Sequence, residues 1–231
     1  MLSFTDIIID AFNIIFDINE YYLNIVLTSL YVSIIATFLT ALIFIPLSAI
    51  IAMNNFIFKK ILMIIINSLL ALPPVVIGLC LYIIFSRIGI FGEYDLLYTS
   101  SIMIIAQIIL IIPIIMSLTI ENTHNTYIEY RDYLASIHST KFSSMITILW
   151  ESRGYLIMNV LVSFGRLLSE VGAVIIVGGN IENLTRTMTT GIVLETSKGE
   201  LSIALSLGIT LLMISLALNI LIYFLRKTSH V

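Results

Sequence analysis

The chain has 231 residues, 59% of them hydrophobic and 11% charged, with 11 basic against 14 acidic side chains and a net charge of -3. Its mean hydropathy is +1.10, more apolar surface than a soluble core of this size can hide, so the composition excludes a soluble globular enzyme and points to an all-α integral membrane protein. Neither a cofactor nor a nucleic-acid partner is expected, and the lipid bilayer is the first partner the sequence implies.

In the first twenty residues, apolar positions recur at Ile7, Ile8, Phe12, Ile15 and Phe16, with Asp6, Asp10 and Asp17 between them. That spacing predicts a helix lying on the outer membrane face. There is no basic n-region and no small-residue cleavage site, so the segment does not read as a cleavable signal. Residues 21–231 read as a single transmembrane domain. No charge occurs over 21–58, 61–86, 96–120 or 201–225, and only Arg166 and Glu170 interrupt 154–178. Each run exceeds the roughly 20 residues a helix needs to cross ~30 Å of hydrocarbon. Five spans follow, at about 22–53, 61–86, 97–120, 154–178 and 201–225, with an insert at 121–153.

Lysine and arginine placement orients the chain. The first 58 residues contain none, but do contain Asp6, Asp10, Asp17 and Glu20. An outside N-terminus puts Lys59, Lys60, Arg131, Lys141, Arg153, Arg226 and Lys227 inside, against Arg87, Arg186 and Lys198 outside, as the positive-inside rule requires. The C-terminus is then cytoplasmic.

The second span carries NSLLALPPVVIG, in which Pro73 and Pro74 follow Asn67 and remove backbone donors at membrane depth. A broken helix there is tolerated only where it is buried in protein or lines a watery cavity; a kinked packing helix is the alternative. In the fourth span, Arg166 and Glu170 are four residues apart and so can pair on a helix. Ionisable groups at this depth are candidates for a translocation path; a structural pair that only fixes helix register is the alternative. Gly165, Ser169 and Ala173 form a small-residue stripe suited to close packing, including against a second copy.

Glu121 to Arg153 is too long for a turn and has helical spacing at Tyr130, Leu134, Ile137 and Lys141, so a short cytoplasmic helix pair with a partner is expected. Catalytic and metal motifs are missing. There is no G-x-x-x-x-G-K-[ST] phosphate loop, no H-E-x-x-H around His124, His138 or His230, and no G-x-S-x-G. The lone Cys80 reads as a packing residue. A transport protein remains.

The segments ALPPVVIGLCLYIIFSR (71–87) and FGRLLSEVGAVIIVGGNIENLTRTMTTGIVLETSKGELSIALSLG (164–208) resemble the membrane subunit of type I ABC importers, oxyanion branch. EVGAVIIVGGNI followed by TRTMTTGIVLETSKGE looks most like tungstate permeases, molybdate relatives tending to have phenylalanine where Val171 stands. Setting Ile137 on the glycine of that family's E-A-A-x-x-x-G loop places Ser139 and Leu149 on its serine and leucine. Arg131, Asp132 and Tyr133 replace E-A-A, and Trp150 replaces a proline. The resemblance implies an ATP-driven oxyanion importer, most similar to tungstate permeases, with molybdate or sulfate as alternative cargo. It also implies a homodimer, two ATPase copies docked on Tyr130, Leu134, Ala135, Ile137, His138 and Ser139, and an extracytoplasmic oxyanion-binding protein delivering to the side of Thr185, Arg186 and Thr189. The chain itself would then be no enzyme. A secondary transporter would be expected to show an inverted repeat and several intramembrane carboxylates, neither of which is visible.

Overall fold

The structure, a computed structural model, describes residues 4–17 and 19–228. His230, Ile18 and the first three residues of the expected outer-face segment lie outside them. All regular structure among the described residues is helical, as the composition requires of a chain in lipid, where each backbone group must be satisfied within its own segment.

Helix α1 runs Phe4–Asp17 and exposes Phe4, Ile9, Phe12 and Phe16, while Ala11 is fully buried. Helix α2, Glu20–Met53, starts where Asn19 Oδ1 accepts the Tyr22 N–H at 2.8 Å, and Glu20 lies in its first turn. Both features suit a helix N-terminus. Its last carbonyls are met by Asn54 Nδ2, on Ile50 O at 2.8 Å, and by Lys59 Nζ, on Ala52 O at 2.9 Å. A cation at the negative end of the helix is the favourable arrangement.

Helices α3 (Lys59–Leu69) and α4 (Pro74–Phe85) flank the double proline. Pro73 is extended, with φ −66° and ψ 123°, and Pro74 occupies the first turn of α4. A residue before proline is forced out of the α region, so the sequence itself dictates the stop and the restart, and the chain bends by 96° there. After a 3-10 turn at Gly92–Tyr94 comes α5, Ser100–Ser136. Thr140 then caps α6, Lys141–Glu151, by accepting the Ser143 N–H at 3.3 Å. Helices α7 (Arg153–Leu168) and α8 (Gly172–Gly178) are a second broken pair, bent by 60°. Thr187 and Thr190 form a reciprocal capping box for α9, Met188–Lys198, and Gly199 ends it with φ +85°. Helix α10 is Leu201–Thr228. Helices α2, α5 and α10 are long and apolar enough to cross a membrane, and each broken pair supplies a further apolar stretch.

The chain divides into two compact units. One comprises residues up to 36, 73–107 and 165–219; in it Ile25, Val32, Met103, Leu167, Val174, Met188 and Leu207 are buried. The other comprises 37–72, 108–164 and the residues from 220 on, with Ile51, Ala52, Ile66, Met116 and Ile120 packed as one cluster. The first unit carries four basic and ten acidic residues, the second seven basic and four acidic.

Candidate functional site

Helix α7 stops at Leu168, between the two charges of the fourth apolar stretch. Arg166 therefore sits in the last turn of α7, with half of its side chain exposed, while Glu170 lies in the break with its side chain 5% exposed. They still meet, with Arg166 Nη1 3.6 Å from Glu170 Oε2. The other carboxylate oxygen, Oε1, accepts the Ala173 N–H at 3.3 Å, at the start of α8. The Glu170 carbonyl accepts the Thr189 hydroxyl at 2.8 Å. A buried carboxylate is costly unless paired and hydrogen-bonded; here a cation, a helix N–H and a threonine converge on one residue. The guanidinium contributes five donors, one of them turned to Glu170, and its exposure leaves it able to meet an anion.

The double-proline break adjoins this place. A Cβ built on Gly172 would lie 2.7 Å from Val75 Cγ2, and one on Gly78 would lie 2.9 Å from Ala173 Cα. Helices α4 and α8 are thus in backbone contact, which brings Pro74 and Val75 beside Glu170 and Gly172. The start of α4 and the break between α7 and α8 thus lie side by side within one unit. Asn67 belongs to the other unit, where its Oδ1 accepts the Ser117 hydroxyl at 3.0 Å.

The stripe Gly165, Ser169 and Ala173 is not one helix face, because the helix ends before Ser169. Ala173 is fully buried against Gly78 of the same chain, and Gly165 lies 4.0 Å from Leu218 Cδ1, measured from a built Cβ. Ser169 is exposed, and its hydroxyl donates to Arg166 O at 2.9 Å.

Thr185, Arg186 and Thr189 are 0%, 8% and 6% exposed, so they frame the segment from within and do not form an outward face of donors. Thr185 Oγ1 donates to Gly178 O at 2.6 Å and accepts the Ile181 N–H at 2.9 Å. Arg186 reaches Tyr21 Oη at 2.8 Å and Glu182 Oε2 at 3.3 Å. Tyr21 in turn donates to Glu195 Oε1 at 2.7 Å, which also accepts from Lys198 at 3.0 Å. Burial raises the Glu195 carboxyl, but hydrogen bonds from Tyr21 and Lys198 and the charges of Lys198 and Arg186 outweigh it, holding the group below its ordinary range. Sequence reasoning missed Tyr21 and Glu195. They are 174 positions apart, and only the Glu195 and Lys198 spacing hinted at a pair.

In the insert, Tyr130 Oη donates to Glu151 Oε2 at 3.4 Å. Leu134 is buried, Ser139 is half-buried, and Ala135, Ile137 and His138 are exposed. Helix α5 closes with Ser139 N–H on Leu134 O (3.1 Å) and His138 N–H on Ala135 O (3.1 Å), with His138 left-handed at φ +50°. Cys80 is exposed. His124 Nδ1 lies 3.1 Å from Ala52 O. Among the described residues, no three His, Cys, Asp or Glu side chains gather as a metal site.

No family model matches the chain. It is 39% identical over 204 residues to the tungstate uptake system permease protein TupB of Peptoclostridium acidaminophilum, covering 88% of this chain and 90% of that protein. A second TupB, from Campylobacter jejuni, is 36% identical over 170 residues, covering 74% and 71% respectively. A probable anion ABC transporter permease of Haloferax volcanii is 34% identical over 209 residues, covering 88% and 90%.

Proposed function

Because the chain belongs to the ABC-transporter permease family of these anion- and tungstate-uptake relatives, we propose that it is the membrane subunit of an ATP-driven importer whose cargo is tungstate. The observation that carries the cargo is 39% identity, across 88% of the chain, with a protein named for tungstate uptake. With no phosphate loop of its own, the chain takes its energy from a separate ATPase, two copies of which serve a homodimer. The ATPase docks on the 121–153 insert, where Ala135, Ile137 and His138 offer an exposed edge above the buried Leu134 and the half-buried Tyr130 and Ser139.

The chain crosses the bilayer five times, α3 with α4 and α7 with α8 each counting as one crossing, with residues 1–20 outside and the insert and C-terminus inside. Lysine and arginine placement supports this orientation, since it puts Lys59, Lys60, Arg131, Lys141, Arg153, Arg226 and Lys227 inside against Arg87, Arg186 and Lys198 outside. An extracytoplasmic oxyanion-binding protein meets the outer side at the exposed rim Ile181–Leu184, which Thr185, Arg186 and Thr189 frame from beneath.

The translocation path runs past Arg166, Glu170 and the Pro73 and Pro74 start of α4. Alternating access exposes it first to one side and then to the other. A half-exposed guanidinium gives a dianion charge-assisted donors, and Glu170, by sharing that charge, keeps the affinity low enough for release. Elemental analysis of cells with and without the gene, given tungstate, molybdate or sulfate at submicromolar levels, tests the reading. Selective loss of tungsten uptake is expected. Loss of molybdenum or sulfate uptake alone would keep the importer and correct its cargo.

A further inference from the structure

The break that contains Glu170 is anchored from outside the two helices it joins. Thr189, in the first turn of α9, donates its hydroxyl proton to the Glu170 carbonyl at 2.8 Å. Both residues are 6% exposed, so water has little access to that bond, and losing the donor would leave the carbonyl unmatched. A carbonyl can only accept, which fixes the direction of the neighbouring contact. Thr189 gives its proton to Glu170, so across the 3.2 Å to Thr187 Oγ1 it accepts. Thr187 is the N-cap of α9, and the Met188 N–H that follows it donates to Ser29 Oγ of α2 at 2.6 Å. The line from Thr187 through Thr189 to Glu170 therefore starts on a helix end that α2 also holds, and every member lies in one unit.

With its carbonyl on Thr189 and Oε1 on the Ala173 N–H at 3.3 Å, Glu170 is held at two points. Its remaining oxygen, Oε2, stands 3.6 Å from Arg166 Nη1. A charge-assisted hydrogen bond closes to about 2.7–2.9 Å, so the two charges attract without the arginine donors being taken up. A guanidinium and a carboxylate left free to approach prefer the bidentate fork. Such a fork would occupy the donors that an oxyanion needs.

We propose that Thr189 is a positioning residue. By anchoring the Glu170 backbone to α9 it keeps the carboxylate short of full contact with Arg166, and so leaves the guanidinium able to bind the oxyanion. The inference rests on the reading of Arg166 as an anion-binding group of the path.

The test measures tungstate binding to the purified full-length chain by equilibrium dialysis with elemental counting, normalised to folded protein. Thr189→Val keeps the shape and removes the donor; Glu170 should then close on Arg166, and binding should weaken about tenfold. Thr189→Ser keeps the hydroxyl and should bind as the parent does. Glu170→Gln has no carboxylate to close, so adding Thr189→Val to it should change binding by less than about twofold. A threonine that only supports the fold would lower the thermal midpoint and leave the dissociation constant per folded molecule unchanged, or would act equally in both backgrounds; either result overturns the proposal. Arg166→Ala separates this inference from the reading beneath it. If that variant binds as the parent does, the path reading falls and the inference with it. If it binds more weakly while Thr189→Val matches the parent, the positioning role alone is refuted.

Discussion

Gly172 of α8 lies against Val75 of α4 so closely that a methyl group there would meet Val75 Cγ2 at 2.7 Å and the Val75 nitrogen at 3.4 Å. From the other helix, a Cβ on Gly78 would meet Ala173 Cα at 2.9 Å and Ala173 O at 3.1 Å. One glycine from each helix sets the spacing that holds the two broken segments together. Overpacking costs roughly 1–3 kcal/mol, and the higher end applies where the clashing atoms are backbone, which cannot swing aside. Gly78→Ala should therefore destabilise more than Gly172→Ala. Gly165→Ala, with only Leu218 Cδ1 at 4.0 Å, should be neutral or stabilising by up to about 1 kcal/mol. Thermal midpoints of the three variants in one detergent give the ranking; a Gly78→Ala variant as stable as the parent would refute this packing.

The Arg166 and Glu170 pair is asymmetric, since one side chain is half exposed and the other nearly buried. Arg166→Ala leaves a buried carboxylate with only the Ala173 N–H as side-chain partner, at a cost of about 1–2 kcal/mol, below the range for fully buried pairs because water still reaches the arginine side. Glu170→Gln keeps an acceptor for Ala173 and abandons only an exposed cation, so its cost should stay under about 1 kcal/mol. Under the proposed function, Arg166→Lys folds normally yet loses part of its uptake with the planar fork, and Arg166→Ala loses about tenfold or more. Uptake per molecule of membrane-inserted protein is the readout. Full uptake by the folded lysine and alanine variants would reduce the pair to a structural tie.

Much of this was legible because its causes are local. Charge-free runs mark apolar helices in any order of packing, and two consecutive prolines stop a helix whatever surrounds them, so the break at Pro73 could be anticipated from the sequence. The break at Ser169 could not. Its residues carry no proline, and helical spacing of Gly165, Ser169 and Ala173 continues straight through it; what ends α7 is the capture of Glu170 by Ala173 and Thr189, the latter 19 positions away. The threonines after Asn180 misled for a related reason. Hydroxyls read as solvent-facing donors when their acceptors, such as Gly178 O and Glu170 O, are invisible in the sequence.

At the end of α5, the residue in the left-handed region is His138, one past Ile137. Two bonds, from Ser139 to Leu134 and from His138 to Ala135, close the helix in the arrangement that favours glycine at the left-handed position. A histidine pays about 1–2 kcal/mol of steric cost there. Offset by the extra freedom of glycine when unfolded, His138→Gly should stabilise the chain by about 0.5–1 kcal/mol, and His138→Val should destabilise it by a similar amount or more, because branching at Cβ crowds that region. Paired thermal unfolding of both variants measures the difference; stabilisation by valine would mean this helix end is not left-handed.

Glu195 is 2% exposed and held ionised by Tyr21, Lys198 and Arg186. Its folded-state pKa lies below the ordinary carboxylate value, so its contribution to stability is present above the unfolded value of about 4.3 and is lost as pH falls through the folded one. Acidification through that window should therefore weaken the parent chain more steeply than Glu195→Gln, which has no carboxyl to protonate. At pH 7 the order reverses in the plain sense that the variant is the less stable of the two. Tyr21→Phe removes one of the two hydrogen bonds to the carboxylate and should fall between them in acid sensitivity. Unfolding midpoints for the three proteins across pH 3 to 7 decide the matter, and parallel curves for parent and Glu195→Gln would show that this carboxyl contributes nothing to the acid limb.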